Sequence, residues 1–177
     1  MRAMEESQPP SSTWRRLGIT AAVLLLLVGT GLLAYRAIRR PLPVVVMNDD
    51  ARRFQRTGLD PRYQPMVNVL AKAREDYQAL VPEYERQRVV KLAPELARQM
   101  KQLAEDVDIA CRWMERSVDS PHRLPTRALA QFRRASRIIR ANSTGAIESL
   151  DYDTDETMRR LEQGFANLRV WVQENYR

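Results

Sequence analysis

The chain has 177 residues, with 29 Lys and Arg against 22 Asp and Glu, and it carries one Cys and one His. This length suits one domain with a short appendage, and a hydrophobic content of 44% is too high for a wholly disordered chain. One Cys excludes a disulfide framework within the chain and any Cys-based zinc or iron–sulfur site, and one His excludes metal or haem sites that need two or three histidines.

The first predicted element is a transmembrane helix at residues 17–38, preceded by a short tail at residues 1–16. Its central run, Leu17–Tyr35, has 19 residues without a charge. As a helix this run would be about 28 Å long, close to the hydrocarbon thickness of a bilayer. Aromatic and basic residues flank both ends, as at a membrane interface: Trp14, Arg15, Arg16, Tyr35 and Arg36. Membrane lipid is therefore the first expected partner. The alternative interpretation of residues 17–38 is a cleaved signal peptide, although the apolar region of such peptides is usually shorter.

Arginines are nearly balanced on the two sides of this segment, so the charge rule alone does not orient it. A short basic tail before the first hydrophobic helix is typical of a signal anchor, which exports the domain that follows. We therefore expect the C-terminal domain outside the cytoplasm, with a cytoplasmic domain as the alternative. Only three lysines accompany the many arginines, which indicates GC-rich coding and favours the inner membrane of a bacterium. Gly18 and Ala22 are spaced as in membrane helices that pair, so self-association is a further possibility.

Residues 39–64 are predicted to be a proline-rich linker beside the membrane. Within it, Asn48 is placed to cap a short helix that would run to about Thr57. The apolar residues 44–47 are expected to pack against the domain or the lipid interface; the alternative is a docking strand for a partner.

From residue 65 to 177 the apolar residues recur at alternating steps of three and four, which is the pattern of a helix with one buried face. Four segments show it. The stripes are Met66, Leu70, Ala73, Tyr77, Leu80 and Tyr84; Leu96, Met100, Leu103, Val107, Ala110 and Met114; Leu129, Phe132, Ser136, Ile139, Ser143, Ala146 and Leu150; and Met158, Leu161, Phe165, Leu168 and Val172.

Prolines and polar residues mark the ends of these segments. Pro94 and Pro125 open the second and third, and Asp153 with Glu156 resembles a capping box for the fourth. Pro82 is expected to kink or split the first. Because the connections are short, successive helices should run antiparallel. The predicted fold is all-α: one N-terminal transmembrane helix followed by an antiparallel, up-down four-helix bundle at residues 65–177.

The residues most suited to chemistry have ordinary structural explanations. Cys111 lies beside a predicted core position, so a small buried thiol is expected, with an intermolecular disulfide as the alternative. His122 lies in a predicted turn and is expected to be solvated, and no attachment motif supports it as a haem ligand.

Four acidic residues have the spacing of an EF-hand calcium loop: Asp151, Asp153, Asp155 and Glu162. Glu156 stands where that loop needs glycine, and Arg159 stands at a position for a ligand or water. We therefore expect these acids to stabilise a helix N-terminus, and we predict no catalytic residue, metal or cofactor.

The strongest charge bias in the predicted bundle is a run of arginines on its third segment: Arg127, Arg133, Arg134, Arg137 and Arg140. The simpler expectation is solvation or ion pairing with the acids Glu105, Asp106 and Asp108 of the second segment. The functional interpretation is a surface for an acidic partner protein or anionic lipid. Nucleic acid is disfavoured, since residues 41–177 carry only a small excess of basic residues.

These features predict a membrane-anchored, non-enzymatic helical protein that acts in protein–protein interaction or assembly at the membrane surface. The partner would be another membrane or extracytoplasmic protein, or a second copy. The alternative is an extracytoplasmic sensory or small-ligand-binding bundle, whose pocket would use aromatic residues near the stripes. Those residues are Tyr77, Tyr84, Trp113, Phe132 and Trp171.

Overall fold

The computed structural model describes residues 40–88, 92–117, 124–144 and 154–176. Its α-helices are α1 (Asp49–Arg56), α2 (Gln64–Gln87), α3 (Pro94–Ser117), α4 (Thr126–Ser143) and α5 (Thr154–Asn175), with a short 3-10 helix at Pro61–Tyr63. No strand occurs in these four ranges. The described part of the chain is therefore all-helical and compatible with a helical bundle, which confirms the predicted class.

The predicted transmembrane helix at residues 17–38 lies outside the described residues, as do its five interface residues. Those are Trp14, Arg15, Arg16, Tyr35 and Arg36. Of the helices that the structure does describe, none is both long enough and apolar enough to cross a bilayer. Residues 41–177 form one compact unit, and all further description concerns that unit.

The predicted apolar stripes form the core of this unit. In α3 all six stripe residues are buried, and α5 buries Leu161, Phe165, Leu168 and Val172. Removing such side chains from water supplies most of the free energy that holds the helices together, at about 25 cal/mol per Å² of apolar surface. The stripe of α4 is buried as far as Ile139, and the helix ends at Ser143.

Contacts between α3 and α4 run in opposite directions along the two helices. Arg133 of α4 pairs with Glu115 near the end of α3, at 2.6 Å. Arg140, two turns further along α4, pairs with the earlier residue Asp108, at 2.5 Å. This pair of helices is therefore antiparallel, as its short connection requires.

A glycine sets the distance between α4 and α5. A Cβ atom added to Gly164 would lie 2.6 Å from the ring of Phe132, closer than a real Cβ contact allows. The neighbouring Phe165 ring then meets Phe132 edge to face, with centroids 5.1 Å apart. The absent side chain thus makes room for an aromatic contact at the centre of the core.

The helix ends follow the sequence signals with one exception. The side chain of Asn48 accepts a hydrogen bond from the backbone N–H of Ala51 at 3.0 Å, so the predicted short capped helix is confirmed as α1. Helix α3 begins at Pro94, and α4 begins directly after Pro125. The exception is Pro82, through which α2 continues without ending, so the segment is not split there, and a kink, the other expected effect of this residue, stays a prediction. Buried Tyr77 and Tyr84 pack into the core on both sides of Pro82 and hold the two halves in one helix.

Much of the segment predicted as a linker packs with the helices. Ala51 and Phe54 of α1 are buried, and the ring of Phe54 lies 5.8 Å from that of Phe165. Gln64 donates a side-chain hydrogen bond to the carbonyl of Ala51 at 3.0 Å. Residues 41–47 contain no helix or strand and are called the strap below. Val45 of the strap also packs against the core. The structure therefore differs from a simple spacer because α1 buries two apolar residues one helical turn apart and is joined to α2 and α5 by these contacts.

Candidate functional site

All five arginines of the predicted charged surface are exposed on α4. Arg133 and Arg140 are held by α3 through the ion pairs with Glu115 and Asp108 described above. Of the three acids expected to pair with this surface, Asp108 does so, and Glu115 is a partner that the sequence argument did not consider.

The remaining three arginines form an arginine stripe, defined as Arg127, Arg134 and Arg137. Steps of seven and three place them along one outward line of α4, about 15 Å long. None of their guanidinium groups makes an ion pair with a residue in the described ranges. Three exposed guanidinium groups in a line can bind carboxylates of another molecule in a two-pronged geometry.

A groove that the sequence did not predict lies between α2 and α3, with the strap as its third wall. Its volume is about 550 Å³. Its apolar lining residues include Val45 of the strap, Ala73 and Leu80 of α2, and Leu103 of α3. The size falls within the range of about 300–1,000 Å³ that is usual for small-molecule sites.

Three carboxylates and two cations line this groove, and four of these five charges are paired. Lys72 pairs with Asp76 one turn away on α2. Glu95 pairs with Arg98 on α3, at 2.8 Å. The fifth charge is that of Asp106, which accepts a hydrogen bond from Gln102 at 2.8 Å. No cation in the described ranges pairs with it.

The surroundings of Asp106 disfavour its charge. Partial burial raises the pKa of its carboxyl above the ordinary value of 3.8, and the nearby carboxylates of Glu105 and Asp76 raise it further. The hydrogen bond from Gln102 lowers the pKa but does not cancel these effects. A cation placed in the groove would relieve this unfavourable environment.

The aromatic residues considered as a pocket lining are mainly core residues. Tyr77, Tyr84, Phe132 and Trp171 are buried, and Trp113 is partly exposed. Burial raises the pKa of Tyr77 to about 12, so its hydroxyl stays protonated at neutral pH. The groove lies elsewhere and has no aromatic residue in its lining.

The comparisons identify no relative of this chain. Neither a protein-family model, nor a curated protein, nor a solved structure matches it.

The remaining candidate residues provide no reactive centre in the described ranges. Cys111 is buried, as predicted, and burial raises the pKa of its thiol to about 12, which disfavours the nucleophilic thiolate. No cluster of three or more potential metal ligands occurs among the residues that the structure describes. His122 and the acids Asp151 and Asp153 lie outside those residues, so the calcium-like spacing stays a sequence observation.

Proposed function

We propose that this protein is a non-enzymatic interaction protein, anchored in a bacterial inner membrane by one helix at residues 17–38. Its bundle, an antiparallel arrangement of the four long helices, would lie outside the cytoplasm and present the arginine stripe to the acidic surface of another protein. The observation that supports this best is that Arg127, Arg134 and Arg137 form no ion pair with any residue that the structure describes, whereas Arg133 and Arg140 next to them do.

A protein partner fits this surface better than a lipid surface. The stripe is narrow, and the carboxylates of Glu115 and Asp108 lie beside it on α3. A flat anionic membrane would also cover Arg133 and Arg140, whose ion pairs with these acids leave no net positive charge to attract its headgroups. A protein surface can place its acids along the stripe alone.

The test is affinity purification of the full chain from detergent-solubilised membranes, followed by identification of the proteins that copurify. The stripe variant carries Arg127→Gln, Arg134→Gln and Arg137→Gln. The matched control carries Arg52→Gln, Arg53→Gln and Arg56→Gln, which removes the same charge from exposed residues of α1.

We expect one partner to copurify with the wild type and the control but not with the stripe variant, and higher salt should weaken its retention. Retention of the partner by the stripe variant would contradict the proposal. Equal loss of the partner from both variants would also contradict it, and so would a wild-type protein that purifies without any partner. If the stripe is instead needed for binding to anionic lipid vesicles, the partner is the membrane and the protein-partner proposal fails.

A further inference from the structure

The groove between α2 and α3 combines an apolar surface with a single uncompensated carboxylate. Ala73, Leu80 and Leu103 supply apolar surface, and Asp106 supplies the charge. The two other carboxylates of the lining are neutralised by Lys72 and Arg98. The groove therefore has one net negative charge, in a chain whose net charge is +7.

We propose that this groove binds a small amphipathic organic cation, whose charged group pairs with Asp106 while its apolar body lies against the walls formed by α2, α3 and the strap. This binding site goes beyond the interaction function proposed above and does not depend on it.

The shape of the groove favours a small molecule over a partner helix. The volume of about 550 Å³ lies within the range that is usual for small-molecule sites. The strap closes one side of the groove with Pro43 and Val45, which further restricts the approach of a large element. A ligand with about a dozen heavy atoms fits this space.

The charge of Asp106 favours a cation over a neutral or anionic ligand. An anion would meet the carboxylates of Asp106 and Asp76, which already interact unfavourably with each other. A neutral ligand would cover Asp106 and remove part of its hydration without supplying a counter-charge. A cation supplies that counter-charge, and its apolar body adds the favourable burial of apolar surface.

The proposal is tested by isothermal titration of the full chain in nanodiscs of zwitterionic lipid, with empty nanodiscs as the blank. Three probes share a phenylalkyl body and differ in their terminal group, which is cationic in 4-phenylbutylammonium, neutral in 4-phenylbutanol and anionic in 4-phenylbutanoate. We expect the wild type to bind the ammonium probe at least about fivefold more tightly than the alcohol, as for a partly exposed ion pair. The carboxylate probe should bind most weakly.

Two variants distinguish the contribution of the Asp106 charge to binding from that of the cavity, and a third variant is a control. Asp106→Asn keeps an acceptor for Gln102 and should reduce the affinity for the ammonium probe to that for the alcohol, with the alcohol unchanged. Ala79 is exposed at the groove, so Ala79→Trp should fill it without disturbing the core and weaken all probes. Glu174→Gln removes a charge outside the groove and should change nothing.

Three results would overturn the proposal: no binding above the blank, equal affinity of the wild type for the ammonium and alcohol probes, or an Asp106→Asn variant that keeps its preference for the ammonium probe. Circular dichroism of each variant confirms that a lost signal does not come from unfolding.

Discussion

At the scale of single residues, Asp106 shows how local surroundings set the effect of a charge on stability. Its pKa is raised in the folded chain, mainly because the carboxyl is partly buried. Ionisation is therefore less favourable in the folded than in the unfolded state. The free-energy penalty of ionising Asp106 is absent below the pKa of its carboxyl in the unfolded chain, near 3.8. It reaches its full size above the higher pKa of the folded chain. At neutral pH the charge of Asp106 thus opposes folding.

Asp106→Asn should consequently raise the melting temperature at pH 7 and leave it nearly unchanged at pH 3. Thermal unfolding followed by circular dichroism across this pH range measures the difference. Glu95→Gln is a control that should change the melting temperature in the opposite direction. The hydrogen bond from Arg98 lowers the pKa of Glu95, so the charge of Glu95 favours the folded state at pH 7. A lower melting temperature of Asp106→Asn at pH 7 would show that its charge stabilises the fold.

At the scale of helices, the sequence predicts the features that depend on nearby residues. The stripe from Leu96 to Met114 repeats within one segment, so its periodicity alone identifies the buried face of α3. The burial of α1 could not be predicted in this way, since Phe54 is buried against Phe165, more than 100 residues later. The groove depends on the distance between α2 and α3, which periodicity does not encode.

The arginine surface was only partly predictable for the same reason. Spacing along α4 identifies which arginines share a face. Whether Arg133 forms an ion pair depends on how α3 packs against α4. Its partner is Glu115 rather than one of the acids that the sequence suggested.

Two neighbouring positions on α5 test the assignment of its buried face. Leu168 is fully buried and Ala166 is exposed. Leu168→Asp should destabilise the fold by several kcal/mol, because it removes apolar packing and buries an unpaired charge. Ala166→Asp introduces the same charge into water and should lower the free energy of unfolding by only about 0.7 kcal/mol, the difference in helix propensity between Ala and Asp. Chemical denaturation of both variants measures the contrast, and equal effects would mean that the face is assigned wrongly.

At the scale of the whole molecule, the folded unit is larger than the predicted bundle. It begins at Pro41, whereas the sequence places the start of the bundle at residue 65. The additional segment contributes Ala51, Phe54, Leu59 and Tyr63 to the core. Tyr63 also donates a hydrogen bond from its hydroxyl to the carbonyl of Ser117 at 2.9 Å, which connects the start of α2 with the end of α3.

Truncation compares these two boundaries directly. A fragment of residues 41–177 should be helical and unfold in one cooperative transition. A fragment of residues 65–177 should melt at a clearly lower temperature, because loss of Phe54 and Tyr63 leaves apolar core surface exposed. Circular dichroism of both fragments measures the difference, and equal melting temperatures would show that residues 41–64 add nothing to stability.

The burial of the lone thiol has a consequence for measuring the opening of this protein in solution. Cys111 has no exposed surface, and its raised pKa keeps the thiolate scarce. A water-soluble alkylating reagent can therefore react with it only while the packing around α3 is open. Because there is one Cys in the chain, each modified molecule records one such opening. Where alkylation is faster than reclosing, the labelling rate reports how often the packing around α3 opens, and where reclosing is faster it reports the population of the open state, in both cases without denaturant and without an engineered probe.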